Sequence, residues 1–161
     1  MKTSAILAAL LLLVCGYFYL QVDWEARAIR QQLKQVVDLV EKDGAVSTLE
    51  AMGRSRQLTA VLTSDAKIEY LTGRSFPKGA DALGRAFLAA WSQVNTANVS
   101  ILKHEVDISE NYPEAKSRVT ANCRVLLDGQ EVLRDTVRYQ IYWKKQEGDW
   151  LIREVVALGG L

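Results

Sequence analysis

After Ala97 the hydrophobic pattern of this chain changes period, from helical to two. Upstream, residues 23–42 read as an amphipathic helix: Ile29, Leu33, Val36, Val37 and Val40 share one face, and Arg30, Gln31, Lys34 and Asp38 the other. Asp43-Gly44 ends it. Ser47-Thr48-Leu49-Glu50 has the spacing of a capping box and starts a second helix, which Gly53 and Ser55 should keep short. Residues 66–71 alternate as a strand, 72–79 read as a loop, and a third helix spans 81–94 with Leu83, Phe87, Trp91 and Val94 on one face. Downstream, four long strands are expected at 99–109, 115–127, 130–145 and 150–158. Asn111-Tyr112-Pro113, Asp128-Gly129 and Glu147-Gly148 separate them as turns. Helices followed by an antiparallel meander make an α+β fold.

Residues 5–20, AILAALLLLVCGYFYL, carry no charge. As a helix they span about 24 Å, slightly less than a hydrocarbon core of about 30 Å. The expected reading is a signal anchor over 1–22 that leaves a domain, 23–161, in the periplasm or cell exterior. A cleaved signal and a lipoprotein signal at Cys15 are the alternatives. No Ala-x-Ala pattern offers a cut, and Val14 is bulky where a small residue would precede a lipidated cysteine.

Composition limits the partners. Lys2 is the only charge in the first 22 residues, and the whole chain carries formal charge +1, so the domain is neutral. It has no electrostatic reason to bind nucleic acid. Two cysteines, Cys15 and Cys123, give no disulfide framework, and a single histidine argues against a structural zinc site. No cofactor and no metal are expected.

Three segments carry a resemblance: Leu62-Thr63-Ser64-Asp65-Ala66, the helix GADALGRAFLAAW, and the closing hairpin with Trp143-Lys144-Lys145 before its turn and DWLIREVVAL after it. Their order over about 25–158 resembles the nuclear transport factor two-like superfamily, which includes ketosteroid isomerases, scytalone dehydratase and SnoaL-type polyketide cyclases. The resemblance implies a curved sheet wrapped around helices, like a cone with a cavity at its mouth. It implies no single function, because this superfamily hosts enzymes, ligand binders and assembly modules. An anchor ahead of such a domain also resembles the periplasmic assembly proteins of type IV secretion systems.

Alternation assigns faces along each strand. Val137, Tyr139, Ile141 and Trp143 should face inward. A tight turn at Glu147-Gly148 would set Ile141 opposite Glu154, bringing Glu154 inward as well. Leu102, His104, Val106 and Ile108, and Ala66, Ile68 and Tyr70, complete the inner face. Tyr70, Trp91, His104, Tyr139, Trp143 and Glu154 are therefore the expected pocket residues. Glu154 and His104 are the candidates for acid–base work, since desolvation raises a carboxylate's pKa toward the neutral range where it can act as acid or base. The plainer readings are a hydrogen-bonded core histidine, a paired carboxylate and core aromatics.

The function expected is therefore non-catalytic: binding a small apolar ligand, or docking in an envelope-associated assembly. The alternative is an isomerase, dehydratase or cyclase acting on a small hydrophobic substrate. A polar outer sheet face, with Arg118, Arg124, Arg134 and Arg138, points to a monomer or weak dimer. One parity conflict remains. An ideal two-residue turn at Asp128-Gly129 would put Arg138 beside Val119, so a bulge is expected between about 126 and 136, most simply at Gly129.

Overall fold

The computed structural model describes residues 24–109 and 113–160. Helix α1 covers 24–40, and its stripe of Ile29, Leu33 and Val36 packs into the core against Ala115, Val119, Ile141 and Trp143. The anchor expected over 1–22 lies outside the described residues. Among those described, no helix is long and apolar enough to cross a membrane.

A short strand, β1 (Lys42–Asp43), follows α1. Helix α2 (Thr48–Ala60) starts as its capping box requires: Ser47 Oγ accepts from the Glu50 amide at 3.2 Å. The helix does not stop early. Ser55, expected to shorten it, donates its hydroxyl to the Gly84 carbonyl at 2.9 Å, so tertiary packing satisfies the group that would compete with the helix. Arg54 reaches back to the carbonyls of Asp38 and Glu41 at 3.1 and 2.8 Å, capping the end of α1. Strand β2 (Leu62–Leu71) begins four residues before the alternation becomes visible, and β3 (Arg74–Ser75) lies within the expected loop. Helix α3 (Ala80–Gln93) packs against α2 so closely that a Cβ at Gly84 would meet Thr59 Cγ2 at 2.5 Å.

The long strands follow: β4 (Val94–Ile108), β5 (Glu114–Leu127), β6 (Gln130–Gln146) and β7 (Asp149–Gly160). One sheet of order β1-β4-β5-β6-β7-β2-β3 results. Its neighbours are antiparallel except β2 and β7, which run parallel, so the sheet is mixed rather than wholly antiparallel. These two strands are joined by the whole α3–β6 excursion, and no hairpin dictates their relative direction.

Bulges bend this sheet and reset its faces. The Asp128-Gly129 turn does have two residues, both left-handed, with φ of 49° and 77°. The extra residue sits further on: Leu126 pairs with Glu131 and Val125 with Leu133, leaving Val132 unpaired and 54% exposed. The bulge therefore falls inside the expected window but not at Gly129. It sets Tyr139 opposite Val119 and Ile141 opposite Ser117. A second bulge leaves Leu102 unpaired between Ile101 and Lys103, and the side chain is 62% exposed. Leu102 is not inward as expected, whereas His104, beyond the bulge, pairs with inward-facing Val119. A third bulge, at Arg153 in β7, places Trp143 opposite Ile152 but Tyr142 opposite Glu154.

Candidate functional site

The concave face of the sheet, α1 and α3 enclose a cavity of about 250 Å³. Leu33, Val36 and Val40 come from α1, Leu83 and Phe87 from α3, and Val119, Ala121 and Ile141 from the sheet. The volume lies between an engineered cavity of about 150 Å³ that binds benzene and the roughly 300 Å³ lower end of ordinary ligand pockets. A one- or two-ring molecule fits.

Polar side chains on the lining are few: Glu69, Tyr70, Cys123 and Tyr139. Tyr139 donates its hydroxyl to the Tyr70 carbonyl at 3.1 Å. Burial first, then the neighbouring Cys123, pushes the Tyr139 phenol up to about 12. Burial also raises the Cys123 thiol, with the Asp135 carboxylate adding to it. Glu69 takes the Gly73 amide at 2.5 Å in the β2–β3 turn. The Tyr70 ring packs on Phe76, with centroids 4.6 Å apart, and both residues line the cavity.

Of the six expected pocket residues, Tyr70 and Tyr139 line the cavity. The other four lie elsewhere. Glu154 is turned away by the Arg153 bulge, and Val155 takes the inward place beside Ile152. Trp91 stacks on Phe87 and sits beneath two cations, with Lys42 Nζ 4.6 Å and the Arg54 guanidinium 5.2 Å from its ring centre. Trp143, fully buried, is a core residue whose indole donates to Ser117 Oγ at 2.8 Å. His104 meets the same oxygen through Nε2 at 3.0 Å. Burial and then the Arg30 charge hold the imidazole below its ordinary range.

Ser117 was not singled out by the sequence, because a serine in an alternating strand carries no signal of its own. With its oxygen accepting from Trp143, its hydroxyl hydrogen is free to donate to neutral His104. Serine and histidine at this distance have the outline of a nucleophile–base pair. Yet Ser117 is fully buried, and neither residue lines the cavity. The three side chains form a hydrogen-bonded cluster around the Ser117 oxygen. Among the described residues, no group of three His, Cys, Asp or Glu side chains gathers to hold a metal.

No family model matches the chain, and no curated protein matches it by sequence. Solved structures do match in fold. A candidate scytalone dehydratase from Novosphingobium aromaticivorans superposes with a TM-score of 0.65 at 16% identity, over 85% of this chain and 86% of that one. An uncharacterised protein with a cystatin-like fold from Caulobacter vibrioides gives 0.65 at 14% identity, over 84% and 88%. A nuclear transport factor two-like protein, also from Novosphingobium aromaticivorans, gives 0.65 at 12% identity, over 86% and 84%. At such identities the likeness is one of architecture: the domain has the cystatin-like α+β cone fold of the nuclear transport factor two-like proteins.

Proposed function

We propose that this chain is a membrane-tethered, non-catalytic binding domain that takes a small apolar molecule into the cavity between α1, α3 and the sheet. The observation that carries this reading is the lining: mostly apolar side chains, with the Tyr139 hydroxyl and the Glu69 carboxylate hydrogen-bonded and the Cys123 thiol pushed up by burial. Acid–base catalysis needs two polar groups converging on one reacting atom. Glu154 and His104, the acid–base candidates of the isomerase reading, do not line the cavity.

The tether is the segment 5–22, and the domain beyond it works in the periplasm or cell exterior, as a monomer or weak polar dimer. Trp24, 71% exposed on the first turn of α1, suits this arrangement, because tryptophan collects where a spanning segment meets the interface.

The test is occupancy. An uncharged one- or two-ring probe such as naphthalene should bind the full chain. Ala121→Leu, which adds three carbons to a residue on the lining, should abolish binding while the chain stays folded. Unchanged binding in that variant, or turnover of ketosteroid-like substrates by the parent protein, would overturn the reading.

A further inference from the structure

A second concavity, of about 490 Å³, lies where β1, α2 and α3 meet, and it shares no lining residue with the apolar cavity. Its walls are largely apolar, with Val46, Ala51, Met52, Leu88 and Ala89 beside the hydroxyls of Thr48 and Ser92. Its charges are both positive, Lys42 and Arg85, and no carboxylate lines it.

Lys42 is the unusual member. It is only 7% exposed. Its ammonium donates to the Trp91 carbonyl at 2.9 Å and lies over the Trp91 ring. A lysine ammonium has three donors, and among the described residues this carbonyl is the one hydrogen-bond acceptor it meets. Burying a cation without a counter-charge is costly, so a fold that keeps one here gains from an anion arriving beside it. Arg85, exposed on α3, supplies the second positive group and enters no ion pair among the described residues. The Ser92 hydroxyl donates to Ala89 O at 2.8 Å, leaving its oxygen's lone pairs to accept. On the rim, Met52 is 39% exposed, and Leu49, one turn earlier on α2, is 81% exposed.

We propose that this groove binds a small apolar carboxylate, its acid group held by Lys42 and Arg85 and its hydrocarbon part laid on Met52, Leu88 and Ala89. Apolar walls select a hydrocarbon body, and two cations with no acid among the lining residues select a negative head. The site is distinct from the apolar cavity and does not depend on that cavity being a binding site.

The probe pair is phenylacetate and its uncharged isostere phenylacetamide, titrated calorimetrically into the full chain in lipid nanodiscs. Phenylacetate should bind at least about tenfold more tightly than the amide, consistent with the greater strength of charge-assisted hydrogen bonds. Raising the salt concentration should weaken it. Arg85→Gln, at an exposed position that does not threaten folding, should weaken phenylacetate about fivefold. Lys42→Met should abolish binding if the variant folds. Ala121→Leu should leave it unchanged. Equal binding of acid and amide, or no effect of Arg85→Gln, overturns the proposal. Loss of phenylacetate binding in Ala121→Leu also overturns it, by placing the ligand in the cavity. A failure of naphthalene to enter that cavity has no bearing on these outcomes.

Discussion

The Trp143 indole and the Ser117 hydroxyl are bonded at 2.8 Å inside a core where both side chains are fully buried. Ser117→Ala removes the acceptor of the indole and the partner of His104 in one step. A buried donor left without an acceptor costs about 1–3 kcal/mol. Urea unfolding should show a loss in that range with an unchanged m-value. A loss below about 0.5 kcal/mol would mean that water replaces the hydroxyl.

His104 makes stability depend on pH. Its folded pKa lies below the ordinary 6.5, through burial first and then the Arg30 charge from α1. The unfolded chain then binds the proton more readily, so stability rises with pH across this window. The contribution is complete above the unfolded pKa and is lost as pH falls through the folded value. Protonation also turns Nε2 into a donor, so the Ser117 hydrogen loses its acceptor. His104→Gln should therefore flatten the stability profile between about pH 7.5 and 5. An imidazole titrating at or above 6.5 by NMR would refute this assignment.

How much was legible depended on whether a signal was local. The period change at Ala97, the Ser47 cap and the two tight turns are local, and each element they announced is present. Bulges are read only where two strands conflict. The Asp128-Gly129 hairpin exposed such a conflict, because Val119 and Tyr139 had to share a face, and the missing residue could be inferred although its place at Val132 could not. At Arg153 there was no conflict to notice. Trp150, Ile152, Glu154 and Val156 alternate cleanly, and Glu154 was assigned inward for that reason. The parallel pairing of β2 with β7 left no mark in either strand. Gly53 and Ser55 were local signals overruled by tertiary contacts, Ser55 finding its partner on α3. The cavity followed from the fold, but which side chains reach it depended on the bulges.

The Val132 bulge gives a comparison of deletions. Removing Val132 deletes the unpaired residue and keeps Val125 opposite Leu133. Removing Asp135 instead forces the bulge to be absorbed upstream, so Leu133 turns outward and Arg134 comes opposite Cys123. Leu133 packs partly buried against the core. Val132 then comes opposite Val125 in its place, so a partly buried leucine is exchanged for a valine, a net loss of roughly 0.5 kcal/mol. The Asp135 deletion should therefore be the less stable by at least that amount in thermal or urea unfolding. Equal stabilities would show that the register past the turn is not held by this face.

Glu25 ties the first turn of α1 to the closing hairpin, its carboxylate accepting from Lys145 Nζ at 2.5 Å and from Trp150 Nε1 at 2.7 Å. The two charged side chains are only 8% and 19% exposed, so this is a buried pair, unlike the ion pairs of the outer sheet face. Removing one partner of a buried pair costs about 3–5 kcal/mol, since the other charge stays out of water. Replacing both with apolar groups of similar volume is often near neutral. Glu25→Leu alone should fall in the costly range. Glu25→Leu with Lys145→Met should recover part of the loss. A double-mutant cycle in urea should then give a coupling of at least about 2 kcal/mol between the two positions. A coupling under about 0.5 kcal/mol would show that the pair is solvated like a surface bridge and that α1 is held to the sheet by its apolar stripe alone.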